Sequence, residues 1–161
     1  MKERILIVLL IAVFVAIIAL MVYETAYGED GLYILCDPRP GRMVNVRSRP
    51  TTSARVVAWV ECGQYVQTDG QEKRGFVHVV NLPAEEDAGW IFAGYLVDEA
   101  PRIRTYTAEV WEGDVVARSS VNGRRLRKLR EGRTVTVYAQ TNRWAVTNRG
   151  FIMCDWLKEV D

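Results

Sequence analysis

The chain has 161 residues, 49% of them hydrophobic and 25% charged, with a formal net charge of +1. One medium domain or two small ones fit that length. One histidine, three cysteines without metal-ligand spacing and no glycine-rich phosphate loop argue against a zinc centre or a nucleotide site. The small net charge hides an asymmetry. Tyr23 to Pro101 carries 7 basic against 12 acidic residues, while Arg102 to Arg149 carries 11 against 4. An anionic partner for the basic half, or attraction between the halves, would each account for this.

Lys2 and Arg4 precede an uninterrupted apolar run from Ile5 to Val22, 18 residues long. As a helix it would extend about 27 Å, close to the hydrocarbon thickness of a bilayer. Tyr23 falls where an interfacial aromatic belongs, and Glu24, Glu29 and Asp30 follow. By the positive-inside rule the N-terminus stays cytoplasmic and the rest lies outside. A cleaved signal peptide is the competing reading. The run exceeds the usual apolar region of such peptides, however, and cutting after Ala26 would leave Glu24 at an unfavourable position. The expectation is a single-pass membrane protein, with residues 1–23 as cytoplasmic tip and transmembrane helix and 24–31 as a tether.

Beyond the tether, short apolar segments alternate with turn signals. Leu32 to Cys36 predicts a strand and Asp37-Pro-Arg-Pro-Gly41 a loop. Val44 and Val46, Val56 to Val60, and Tyr65 to Thr68 predict three more strands, the last ended by Asp69-Gly70 as a hairpin signal. Gly75 to Val80 and Trp90 to Phe92 complete the series. The second half repeats the order in fewer residues: Tyr106 to Trp111, Val115 to Arg118, a strand with Leu126 and Leu129 as core positions, Thr134 to Ala139, Trp144 to Thr147, and Gly150 to Met153. Five or six short strands per half predict an all-β fold of small barrels or sandwiches. Pro101 lies in a connector too short for independent tumbling.

The halves also share motifs. Gly89-Trp-Ile-Phe-Ala-Gly-Tyr-Leu96 recurs as Gly150-Phe-Ile-Met-Cys-Asp-Trp-Leu157, and Val44-Asn-Val-Arg-Ser48 as Val115-Val-Ala-Arg-Ser119. Repetition at this scale means two copies of one small fold. Val44-Asn-Val-Arg-Ser-x-Pro50, Gly63 and the closing Gly89 to Leu96 motif resemble the bacterial SH3-like domain, SH3b. The second copy resembles it less closely: Val116 replaces Asn45, Pro50 has no counterpart, and the loop after Ser119 is about two residues shorter. The resemblance implies two tandem SH3-like β-barrels, at 32–99 and 105–158, behind the N-terminal helix. It also implies binding without catalysis. The expected ligand is cell-wall peptidoglycan, such as its stem peptides, or another envelope polymer. Docking onto a protein partner in an envelope or mobile-element machine is the alternative. No cofactor is implied.

Aromatic residues are the candidate ligand contacts. Tyr95 and Trp156 share the motif position that tends to line a peptide groove in SH3-type folds, and Trp59 and Trp144 join them. Trp90 and Phe151 read as structural. A basic run offers Arg124, Arg125, Arg127, Lys128, Arg130 and Arg133 as anion contacts, with Leu126 and Leu129 pointing inward. Its partner would be a wall polymer or lipid headgroups; nucleic acid ranks last in the expected topology. A solvated face whose long stems cover apolar surface is the plainer reading. His78 lies inside a strand, where a solvent-facing role is favoured over a dyad with Cys62. Cys36 and Cys62 are a candidate disulfide, and an odd count of three leaves at least one free thiol.

Overall fold

The computed structural model describes residues 31–160. The apolar run Ile5–Val22 lies outside them; among the described residues no helix is long and apolar enough to cross a membrane. The described residues are all-β and build two seven-stranded antiparallel sheets. In the first, the strands are β1 (Gly31–Ile34), β2 (Val44–Arg47), β3 (Val56–Val60), β4 (Tyr65–Lys73), β5 (Phe76–Val80), β6 (Gly89–Phe92) and β7 (Leu96–Val97). The second holds β8 (Arg102–Val110), β9 (Val115–Arg118), β10 (Arg125–Leu129), β11 (Thr134–Gln140), β12 (Trp144–Thr147), β13 (Gly150–Met153) and β14 (Leu157–Glu159).

The strand orders are β3-β2-β6-β5-β4-β1-β7 and β10-β9-β13-β12-β11-β8-β14. Adding seven to each label of the first sheet reproduces the second. The two sheets therefore share one topology. In each, the shared closing motif forms a strand, a single 3-10 turn (Ala93–Tyr95 or Cys154–Trp156), and a short return strand pairing with the first strand of its sheet.

Alternation of small β-branched residues explains the cores. Val46, Val60, Val79 and Ile91 fill the first, with Ile34. Val110, Ala117, Val137 and Ile152 fill the second. Val46 and Ala117, and likewise Ile91 and Ile152, hold the same place in the two sheets.

A third core lies between the sheets. The first sheet supplies Leu35 and Val97, with Tyr33, Cys62 and Tyr95 packed against them; the second supplies Ala139, Trp144, Val146 and Phe151, with Val121 and Met153. Burying each large apolar side chain here contributes about 1.5–3 kcal/mol. Around this junction Val121 N–H donates to the Gly94 carbonyl at 2.9 Å, and the Arg39 guanidinium lies 4.4 Å from the Tyr138 ring centroid. Gly94 is required at the approach, since a Cβ there would sit 2.5 Å from Ser120 Oγ.

Three expectations are corrected. Asp69-Gly70 does not end a strand. β4 runs through it to Lys73, with a register shift between Thr68 and Glu72, and the hairpin turns at Arg74-Gly75. Both of those residues have positive φ, 54° and 76°, as a two-residue hairpin loop requires. Leu126 does not point inward. It occupies a β-bulge between Arg125 and Arg127 and is 45% exposed, while Leu129 is buried. Two residues three apart on a strand share a face only across a bulge, and this bulge turns the extra residue outward instead. Trp144 is only 4% exposed, held in the junction core, so its ring is not offered to a ligand.

Candidate functional site

The repeated Val-x-(Val/Ala)-Arg-Ser motif places one arginine at the end of β2 and one at the end of β9. Arg47 Nη1 donates to the Ala54 carbonyl at 2.8 Å, and Arg118 Nη1 donates to the Gly123 carbonyl at 2.9 Å. Each arginine thereby ties down the loop that follows its own strand. The acceptor is seven residues away in the first sheet and five in the second, which absorbs the shorter second loop.

Both arginines border a cleft of about 630 Å³ formed by the two sheets together. The first sheet contributes the Cys36–Val44 loop region, Phe76, Phe92 and Tyr95; the second contributes Ser119, Leu126, Val146, Thr147 and Phe151. The floor is aromatic. Phe76 and Phe92 meet edge to face at 5.6 Å, Phe92 and Tyr95 at 6.1 Å, and Tyr95 and Phe151 lie 6.2 Å apart. Burial raises the Tyr95 hydroxyl above the usual tyrosine range, so it stays a neutral hydrogen-bonding group.

The rim is cationic. Arg42, Arg47 and Arg118 line the cleft, and Asp37 is the sole acid in the lining. The Asp37 carboxylate is already engaged by the Arg39 guanidinium, 2.6 Å away, which holds its pKa below the ordinary aspartate value. An extended ligand carrying apolar groups and a carboxylate fits such a lining: the aromatic floor takes the former, the arginine forks the latter.

Of the four aromatics expected to contact ligand, only Tyr95 lines this cleft. Trp144 is buried behind it. Trp59 stands 63% exposed on β3, and Trp156 is 38% exposed on the 3-10 turn of the second sheet; neither borders the cleft. The repeated motif arginines record the tie of each strand to its own loop and not the cleft between the copies. Phe92 and Leu126 carry no sequence signal for it either.

Arg124, Arg125, Arg127, Lys128, Arg130 and Arg133 are all exposed, on β10 and the loops beside it. Cys36 and Cys62 lie side by side but as free thiols: Cys36 N–H donates to Cys62 Sγ at 3.3 Å, and the Cys62 thiol donates to the Cys36 carbonyl at 2.9 Å. The hydrogen bond between the two thiols, reinforced by burial, raises Cys36; the same hydrogen bond lowers Cys62. His78 alternates with buried Val77 and Val79 and so stands on the outer face of β5. Its Nδ1 lies 2.8 Å from Asp69 Oδ2 and its ring 4.9 Å from that of Trp90, its cross-strand neighbour. Among the described residues no three His, Cys, Asp or Glu side chains gather as metal ligands.

Residues 43–97 match the family model of the bacterial SH3 domain. No curated protein matches the chain. Among solved structures it is similar to NlpC1 from Trichomonas vaginalis, at 20% identity and a TM-score of 0.32, over 80% of this chain and 45% of that one. A second is NlpC2 from Trichomonas vaginalis, at 24% identity and a TM-score of 0.30, over 80% of this chain and 47% of that one. The chain thus spans less than half the length of these structures, and likeness at this level carries no functional argument. The family match falls on β2 to β7, so the first sheet is the part of the chain that is similar to a bacterial SH3 domain.

Proposed function

We propose that the protein is a non-catalytic, membrane-anchored binding protein that holds short peptides of the cell wall in the cleft between its two sheets. The observation that carries this reading is the cleft itself: three arginines around an aromatic floor, in a chain whose first sheet is similar to a bacterial SH3 domain. The non-catalytic reading rests on the single histidine standing on β5 beside Asp69 and Trp90, outside the cleft lining. Anchoring rests on the apolar run Ile5–Val22 and the charges flanking it. A protein-docking role is favoured by one feature, the exposed Trp59 on an edge strand.

The test is co-sedimentation of the full chain, in neutral detergent, with purified wall sacculi at low and high salt. The expected result is binding that persists in salt, weakened about tenfold by Tyr95→Ala and unchanged by Trp156→Ala. A protein that stays in the supernatant at both salts would overturn the wall-binding reading and leave docking through β3.

A further inference from the structure

β3 and β10 hold the same position, first in their sheets, and the ladders align them residue by residue. Val44 pairs with Val60 as Val115 pairs with Leu129, and Arg47 pairs with Val56 as Arg118 pairs with Arg125. The bulge falls at the same place in both. On that common backbone, Val56-Val-Ala-Trp-Val60 in one copy is Arg125-Leu-Arg-Lys-Leu129 in the other. Three positions have become cationic, and the charge continues at both ends through Arg124, Arg130 and Arg133.

We propose that β10 and its flanking loops form a second binding site for a linear polyol-phosphate polymer, built from cations that lie outside the cleft lining. Three observations define that ligand. The first is uncompensated charge. Among the described residues only Lys128 of the six has an ion pair, with Asp114 at 2.8 Å. Glu131 and Glu109 are also nearby: the Glu131 carboxylate accepts from Gly113 N–H at 3.0 Å, and Glu109 stands across from Thr134. Five of the six cations are arginines, whose planar forks match phosphate oxygens in two-point contact.

The second is shape. Arg125 to Lys128 are four consecutive exposed residues, and successive strand residues face opposite ways. The bulge at Leu126 interrupts that alternation, so Arg125 and Lys128 share one face of the open edge while Arg127 lies on the face of buried Leu129. The cations thus splay from more than one face of the edge, which a thread can follow and a flat membrane cannot. The third is the lack of aromatics between Arg124 and Arg133. Single-stranded nucleic acid is held by stacking its bases on aromatic rings as well as by charge. A polymer of phosphates and polyols needs no such platform.

The experiment measures binding of the full chain in neutral detergent to poly(glycerol phosphate) across a salt series. Alongside run an oligothymidine of equal charge and vesicles containing phosphatidylglycerol. The expected result is polymer binding that falls with salt, and a loss of tenfold or more in a variant with Arg125→Gln, Arg127→Gln and Arg130→Gln. The salt slope should fall by about 2 when three phosphate contacts are removed. A control carrying Arg49→Gln, Lys73→Gln and Arg143→Gln, all exposed elsewhere, should bind like the parent. Melting midpoints within about 2 °C confirm that both variants fold. Equal losses in the two variants would reduce the site to net charge and overturn the proposal. So would tighter binding of the oligothymidine, or vesicle binding without polymer binding. Tyr95→Ala should leave polymer binding intact, so failure of the cleft reading and failure of this one are separable.

Discussion

Tyr95 and Trp156 stand at the same position of two sheets that share one strand order, yet they live in different surroundings. Tyr95 is half-buried, packed on Phe92 and Phe151 at the edge of the cleft. Trp156 lies open to solvent, its carbonyl accepting from Trp111 N–H. The backbone is equivalent; the neighbour is not. The first copy turns this end toward its partner, and the second turns the corresponding end away. A position in a repeated fold acquires its role from what the other copy covers, so a family's usual ligand residue cannot be carried to both copies by alignment.

The largest test of that contrast is Trp144→Ala. Removing a tryptophan from the junction core should cost about 3–5 kcal/mol in urea unfolding, whereas Trp59→Ala on the open β3 edge should stay within about 0.5 kcal/mol. Equal costs would mean the junction does not form. Next, Tyr95→Ala should destabilise by about 2 kcal/mol, less than loss of a fully buried aromatic, and Trp156→Ala by under about 1 kcal/mol. The order would reverse if Trp156 were the covered member.

Arg47→Ala and Arg118→Ala sharpen the comparison from the other direction. Each removes one charged donor from a loop carbonyl, so each should cost about 1–3 kcal/mol, and the two costs should agree closely despite the different loop lengths. A large disagreement in melting temperatures would show that the two loops are held differently.

The smallest effect is read by alkylation rather than stability. Cys62 is lowered by its hydrogen bond with Cys36, so its thiolate forms at a lower pH than that of an ordinary cysteine. Cys154 is pushed up to about 11, chiefly by burial, and forms thiolate only in strong base. At pH 8 iodoacetamide should label Cys62 first and leave Cys154 intact, as mass spectrometry would read; simultaneous labelling would contradict the assigned environments.

Much of this architecture is legible in residues. The repeated Gly-(Trp/Phe)-Ile ending marks β6 and β13, and the Val-x-(Val/Ala)-Arg-Ser motif marks β2 and β9, because each records an alternation that one sheet imposes locally. The junction is another matter. Trp144-Ala-Val-Thr147 is buried at every position, and such a strand reads as a plain apolar run whether a helix, a sheet or a second copy covers it. Asp69-Gly70 misleads for a related reason: glycine at positive φ serves a bulge as well as a turn, and only the pairing partners of β4 and β5 separate the two. The cleft escaped because it is made by two copies meeting, which no motif within one copy records.

The junction core has a thermodynamic consequence. Leu35 and Val97 are covered by Trp144 and Phe151, and the reverse holds equally. Neither copy can therefore unfold without stripping apolar cover from the other, and only four residues, 98–101, join the last strand of one to the first of the next. Two units of this size, each marginal alone, thus melt together in one cooperative transition, and the stability of the repeat belongs to the pair.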